Sequence, residues 1–406
     1  MIDTPRGPLL RRIPNASPLR DDVKQGLAAE VATHDAAAVW GLPDFVFEPK
    51  LASVGSGTRE LGDGTLLVGN IGVAVQVKSR EVPSSNPDKE RSWLKKKTAE
   101  GLRQGNGTIR HLCLVPADLT NLRGVTVSVD GNNFRWLVVV VLDHDDPPDD
   151  VTPLIDEAKH PAVVLLRRDW EFLFDQLKST SAVVRYFARV AGEATALGSE
   201  PVRYHKLALA DHEALPRRLS PQLVGNGVEV HSPMLPLLPA ASDDVQAHQV
   251  VRTLFEDFAT TLGTDIEMSD RLRVLAELDR TPVTERTALG RFVLKAFKEV
   301  STDLRDGIAW RLRSIRGPLG HAHLGFAACS HPHTELIQAG FSAWVQLRHH
   351  DVLTATRDVD GLMTVGVLVT PCERYRRPWD TTVVAVNGDF SFSDEDLAQL
   401  RDLWPG

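Results

Sequence analysis

Cysteine is scarce: Cys113, Cys329 and Cys372 stand far apart in a chain of 406 residues. An odd, scattered set argues against a disulfide framework and fits a reducing compartment, so the expected localisation is cytoplasmic. Long apolar runs are missing too. The longest, Trp136 to Leu142, is far too short to span a bilayer and reads as a buried strand. The N-terminus carries Pro5, Pro8, Pro14 and several arginines, with no apolar core of a signal peptide. Positive charge is not in excess either. Lys and Arg number 46 against 54 Asp and Glu, a net charge of −8, so any nucleic-acid site must be a local basic patch on an acidic body. There is no Gly-x-x-x-x-Gly-Lys-Ser/Thr loop and no strand-coupled Gly-x-Gly-x-x-Gly, so nothing points to nucleoside triphosphate or dinucleotide binding. Gly-x-Ser-x-Gly is absent, which lowers a serine-elbow hydrolase. No internal repeat is visible.

What is present divides by composition. Length predicts two or three domains. Residues 1–20 are rich in Pro and Arg and read as an irregular arm, with Arg6, Arg11, Arg12 and Arg20 as its cations. Apolar residues at helical spacing predict a helix from Asp21 to Trp40, capped by Asp21 or Asp22 and stopped by Gly41 and Pro43. Glu30 lies beside its apolar stripe. Phe45 to Phe47 reads as a strand, and Gly55-Ser56-Gly57 as a flexible turn.

The most informative stretch follows. Two β-prone runs, Gly64 to Val68 and Ile71 to Val77, flank Gly69-Asn70, a hairpin signal. With Gly69 and Asn70 as the loop, Val68 faces Ile71 and Asp63 faces Gln76. With Asn70-Ile71 as the loop, Asp63 faces Lys78. Either register puts Asp63, Gln76 and Lys78 on one face and leaves Leu66, Val68, Val73, Val75 and Val77 for the core. An acid, an amide oxygen and an ammonium on one buried face must be paired or must hold something else. A divalent metal with a bound water fits that chemistry.

Downstream, a helix is expected from Ser92 to Gln104, ended by Gly105-Asn106-Gly107 and carrying the basic cluster Lys95, Lys96 and Lys97. Strands are expected over Ile109 to Val115, Phe134 to Leu142 and Pro161 to Leu166, with an edge strand at Gly124 to Val129. The acidic run Asp143 to Asp150, with His144 inside it, reads as a solvated turn. Helices over Asp169 to Leu177 and Ser181 to Leu197 complete the first domain.

Asp63, then twelve residues, then Gln76-x-Lys78 resembles the PD-(D/E)xK nuclease superfamily, in the variant with Gln-x-Lys found in Mrr-type restriction endonucleases. The resemblance covers roughly residues 20 to 145. It implies an α/β fold, a restriction-endonuclease-like mixed sheet flanked by helices, across 21–210. It implies a Mg²⁺- or Mn²⁺-dependent endonuclease that hydrolyses phosphodiester bonds in nucleic acid, DNA in the first place, with a role in restriction or defence, as a homodimer or with a partner protein. Carried onto this chain, Asp63 and Gln76 bind the metal with Glu30, Lys78 orients the attacking water, and Gln104 with Lys95, Lys96 and Lys97 holds the substrate backbone. Gln76 brings no negative charge where the superfamily more often has a carboxylate. The alternative is a catalytically inactive nuclease fold used for binding or as a scaffold, with Asp63 and Lys78 as a buried ion pair.

The Pro-rich stretch 211–242 reads as a linker, and 243–406 as an α+β domain of unknown role, such as a ligand sensor acting on the first. Helices are expected over Asp243 to Leu262, Ser269 to Leu278, Thr284 to Val300 and Thr302 to Ile315, a region rich in arginine. Strands follow at His323 to Cys329, Met363 to Thr370 and Thr382 to Val386. Residues 334–348 read equally as helix or strand, and Ser393 caps a last helix. His321, His323, His331, His333, His349 and His350, with Cys329 and Cys372, gather here, but their spacing matches no strong zinc signature.

Overall fold

The computed structural model describes residues 8, 12–48, 51–54, 57–60, 62–149, 151–155, 158–214, 235–237, 244–261, 267–302, 307–315, 321–356, 362–374, 377–389 and 391–404. It is a mixed α/β chain in two compact units. The first comprises Met1–Pro216, Ser232–Pro239 and Glu267–Val283; the second holds the rest. The turn expected at Gly55-Ser56 and the arginines Arg6 and Arg11 lie outside the described residues.

The first unit is built on a five-stranded mixed sheet. Its strands, in spatial order, are β1 (Val46–Phe47), β4 (Gly64–Val68), β5 (Ile71–Ser79), β8 (Arg135–Asp143) and β9 (Ala162–Leu166). Two small hairpins form two-stranded sheets of their own, β2 (Leu51–Val54) with β3 (Gly57–Glu60) and β6 (Ala117–Thr120) with β7 (Thr126–Val129), and the second is joined to β1 by a Phe47–Asn121 bridge. The segment expected as an edge strand over Gly124 to Val129 supplies β7 of that second hairpin. The β4–β5 turn is Gly69-Asn70, with Val68 opposite Ile71 and Gly64 opposite Val75. Gly69 takes a positive φ of 57°, which a two-residue hairpin loop requires. Strands β1, β4 and β5 are antiparallel neighbours, whereas β5, β8 and β9 run parallel. A parallel pair needs a crossover, and helix α2 supplies it between β5 and β8.

Helix α1 (Gln25–Trp40) starts later than expected, without a side-chain cap, because Asp22 is engaged by Arg20 instead. It covers one sheet face: a Cβ at Gly64 would collide with the His34 ring. Helix α2 (Pro87–Leu114) covers the other face and is far longer than Ser92 to Gln104. Asn86 caps it, accepting from the N–H groups of Asp88 and Lys89. It runs straight through Gly105-Asn106-Gly107, so Ile109 to Leu114 is helix and not strand. The glycines are contact points rather than stops. A Cβ at Gly101 would stand 2.8 Å from Val140 Cγ1, and one at Gly105 would stand 2.5 Å from Val138 Cγ1. Helices α3 (Arg167–Leu177), α4 (Thr180–Val190) and α5 (Glu200–Ala214) follow β9. The helix expected to reach Leu197 stops at Val190, and α5 continues past residue 210.

The second unit carries α6 (Val245–Thr260) and α8 (Val283–Thr302), while α7 (Met268–Asp279) between them belongs to the first. Its sheet has the order β10 (Trp310–Ile315), β11 (His323–Cys329), β12 (Met363–Pro371) and β13 (Trp379–Asn387). The stretch expected as a helix from Thr302 to Ile315 contributes strand β10. Its pattern has period two: Trp310 and Leu312 pack on the core, and Arg311 alternates with them and pairs with Glu299 at 3.0 Å. Helix α9 (Glu335–Thr356) crosses from β11 to its parallel neighbour β12, which settles the ambiguous 334–348 as helix. Helix α10 (Asp394–Leu403) is capped by Ser393, which accepts from Asp396 N–H at 3.1 Å. Among the described residues no helix is long and apolar enough to cross a membrane.

Candidate functional site

Asp63 and Lys78 meet at the end of the sheet where β4 begins and β5 finishes. Gly62, at φ 76°, turns the incoming chain just before β4. Val77 N–H lies beyond the reach of the β4 ladder, and Asp63 Oδ2 accepts its bond at 2.6 Å. The same oxygen accepts from Lys78 Nζ at 3.0 Å, and Lys78 Nζ also donates to Val77 O at 2.9 Å. The pair keeps side-chain exposures of 16% for Asp63 and 10% for Lys78. Both bonds fall on Oδ2, and among the described residues Oδ1 accepts none.

Gln76 is 1% exposed. Strand alternation puts it on the α2 face, paired in register with Val140. Its Nε2 donates to the adjacent Val75 O at 3.0 Å, while Oε1 is buried without a hydrogen-bond partner among the described residues. A Cβ at Gly62 would stand 2.8 Å from Gln76 Nε2 and 3.0 Å from Thr108 Oγ1, so only glycine lets the turn close over this amide. Gln104, one turn before Thr108 on α2, also has a buried, unpartnered Oε1. Glu30 is half-buried on α1, one turn before His34, and therefore belongs to the opposite sheet face. The fold thus brings Asp63 to Lys78 and Gln76 toward Gln104 and Thr108, but not Glu30 to Gln76.

Of the three clustered lysines, Lys95 and Lys96 are exposed and Lys97 pairs with Glu100 at 2.8 Å. Glu100 is an acid that sequence reasoning missed. Its carboxyl lies below the usual range, through the Lys97 hydrogen bond first and then the charges of Lys97, Lys78 and Lys96, against burial. Glu100 is therefore electrostatically coupled to Lys78 from the helix side. His34 was also missed. Burial holds its imidazole below the ordinary value, opposed by the backbone of Asp63, and among the described residues its Nε2 has no hydrogen-bond partner. The available signal was its position four residues after Glu30 on one helix face.

The rest of this edge is a buried polar network. Ser79 Oγ donates to Asp143 Oδ2 at 2.7 Å, and Arg167 Nε donates to Asp143 Oδ1 at 2.7 Å. Arg167 also bonds Ser17 O and Glu171, which ties residues 12–20 onto α3. Arg80 forks onto Glu90 at 3.0 and 2.8 Å, and His144 Nε2 meets Glu90 Oε2 at 2.9 Å. Arg80, with the Ser84 N–H and His144, holds the Glu90 carboxyl down at about 2 despite its burial. The turn expected to be solvated is therefore buried at Asp143 and His144, because β8 delivers them under the start of α2. Three consecutive residues, Lys78, Ser79 and Arg80, are each anchored to a different carboxylate.

In the second unit, His349 is a satisfied core histidine between Thr364 Oγ1 and Gly388 O. Among the described residues no group of three His, Cys, Asp or Glu side chains stands together to hold a metal.

No family model, no curated protein and no solved structure matches this chain.

Proposed function

We propose that the chain is a metal-dependent phosphodiesterase of PD-(D/E)xK type acting on nucleic acid, DNA in the first place, centred on Asp63, Gln76 and Lys78. One observation carries the reading: Asp63 and Lys78 stand 3.0 Å apart at one sheet edge with Asp63 Oδ1 open. The order helix, strand, hairpin, helix, strand, with β5 and β8 parallel, supports the restriction-endonuclease-like reading of the sheet. The donor set suits a hard cation. Asp63 Oδ1 and the orphaned Gln76 Oε1 are oxygens of the kind Mg²⁺ takes while keeping several waters. Bound there, Mg²⁺ or Mn²⁺ would supply an acidified water and neutralise phosphate charge. Lys78 Nζ would stand where charge on phosphorus collects, and Asp63 and Val77 O fix its position. Glu100 adds a carboxylate near Lys78 to a motif that carries an uncharged Gln76.

A second reading is an inactive nuclease fold used for binding or as a scaffold. It is favoured by Lys78 serving as the counter-ion of Asp63, and by the Gln76 amide turned onto its own strand. A cleavage assay on plasmid and oligonucleotides with Mg²⁺ or Mn²⁺ separates the two. Under the nuclease reading, wild type cuts, and Asp63→Ala and Lys78→Ala each lose on the order of 10²-fold or more. Wild type that binds without cutting supports the second reading. Cleavage that survives both substitutions removes the site from this edge.

A further inference from the structure

Helix α2 displays an ordered row of charge that the Lys95–Lys97 cluster only touches. Lys89, Lys96, Arg103 and Arg110 recur every seventh residue, and all four are exposed. Heptad steps drift by only about 20° on a straight α-helix, so the four share one ridge. That ridge lies opposite the side of α2 that buries Leu94, Gly101, Gly105 and Ile109 against the sheet. From Lys89 to Arg110 it spans about 32 Å, with a cation about every 10 Å. None of the four has an ion-pair partner among the described residues. The two acids flanking the ridge are both engaged, Asp88 with Arg91 at 3.2 Å and Glu100 with Lys97 at 2.8 Å.

We propose that this ridge is a docking surface for the phosphate backbone of a double-stranded nucleic acid. A straight, unpaired row of cations on a chain of net charge −8 is complementary to a polyanion and orients it. The partner is a duplex rather than a single strand for two reasons. A rigid row engages a stiff rod without having to order it, and a duplex stays straight over roughly 150 base pairs. A single strand is normally gathered on exposed aromatic rings, and the one ring between the cations, Trp93, is half-buried against the core with Arg80 over its face, while Ser92, Ala99, Glu100, Asn106 and Gly107 offer none. The side chains carry only donors at long spacing, so the contact is with phosphates and is independent of sequence. The row passes the candidate site where Lys96 and Lys78 both act on Glu100. The proposal rests on the nucleic-acid reading above for its choice of anion, and not on catalysis.

The test is binding in the presence of EDTA, read by fluorescence anisotropy on a labelled duplex of about 30 base pairs, with salt varied from about 50 to 200 mM. A variant carrying Lys89→Gln, Lys96→Gln, Arg103→Gln and Arg110→Gln keeps good helix formers at exposed sites and should melt with the wild type. A control with the same charge change, Lys24→Gln, Lys159→Gln, Lys206→Gln and Lys298→Gln, removes scattered exposed lysines. Each phosphate contact contributes about 0.9 to the slope of log K against log salt, so the row variant should lose about 3.6 from that slope and the control almost nothing. Equal losses in the two variants overturn the proposal. So does a single strand of the same length, or a polyglutamate peptide, that binds wild type as tightly as the duplex. Duplex binding that depends on the row in a wild type that never cuts would sink the nuclease reading and leave this one standing. Cleavage unaffected by the row variant would do the reverse.

Discussion

Asp169 stands in the first turn of α3 with both carboxyl oxygens buried and without a hydrogen-bond partner among the described residues; the Arg168 guanidinium approaches only to 3.7 Å. Burial pushes its pKa up to about 7, helped by the charge of Glu200 and opposed by Arg168. A carboxyl raised in the folded state binds its proton more tightly there than in the unfolded chain. Its stabilising effect is therefore complete below about pH 4 and is lost as pH rises through about 7. Asp169→Asn keeps the shape and removes the titration. In urea denaturation the variant should gain on wild type between pH 5 and pH 8, by on the order of 2–3 kcal/mol. A difference that does not change with pH would show that the carboxyl is solvated or paired in the fold. In the sequence Asp169 is an ordinary first-turn acid, since burial is a property of the packing of α3 and α5. The same limit explains His144, whose partner Glu90 lies 54 residues away, and the coupling of Glu100 to Lys78 on another element. Asp63 and Lys78 were legible because a two-residue hairpin loop fixes which side chains lie across from each other. That logic aligned Gln76 with them, yet it carried no information on how deeply α2 would bury the amide.

Helix α2 shows how local propensity can mislead at the scale of an element. Gly105-Asn106-Gly107 has the composition of a helix end, and in isolation each glycine costs about 1 kcal/mol relative to alanine. Contact with β8 outweighs that cost, because Gly101 and Gly105 let the helix approach Val140 and Val138. Gly105→Ala should therefore destabilise the protein by about 1–3 kcal/mol in spite of the better propensity. Combined with Val138→Ala, which vacates the colliding methyls, the two changes should cost less than the sum of the singles when followed by urea denaturation. Strict additivity would mean that the helix does not lie on β8 at this point. The strands with strong alternation or β-branched runs, β5, β8, β11 and β12, were readable within a residue or two. Strand β10 was not, because its alternating Trp, Arg, Leu and Arg resemble a basic helix as well as an edge strand.

Across the whole chain, the compact units are not consecutive segments. Helix α7, within the segment 267–283, belongs to the first unit although α6 before it and nearly all of α8 after it belong to the second. A sequence reading that cuts at a Pro-rich stretch has no means of finding such a return, because the evidence is a tertiary contact. Here the contact is polar and buried. Ser179 Oγ donates to Asp279 O at 2.6 Å and to Asp279 Oδ2 at 3.0 Å, and Ser181 N–H donates to the same Oδ2 at 2.7 Å. Ser179 is also the cap of α4, accepting from Ala182 N–H, so one carboxylate across a separation of 100 residues completes the start of that helix. Asp279→Ala removes the carboxylate and leaves the buried Ser181 N–H short of a partner, while the Ser179 hydroxyl keeps the main-chain O of residue 279. The expected loss is about 2–4 kcal/mol in global unfolding. Hydrogen exchange locates it: amides in the first turn of α4, within the N-terminal unit, should lose protection, although the mutation lies beyond residue 270. If protection falls only in α7 itself, the helix is a peripheral attachment and the N-terminal unit is complete without it.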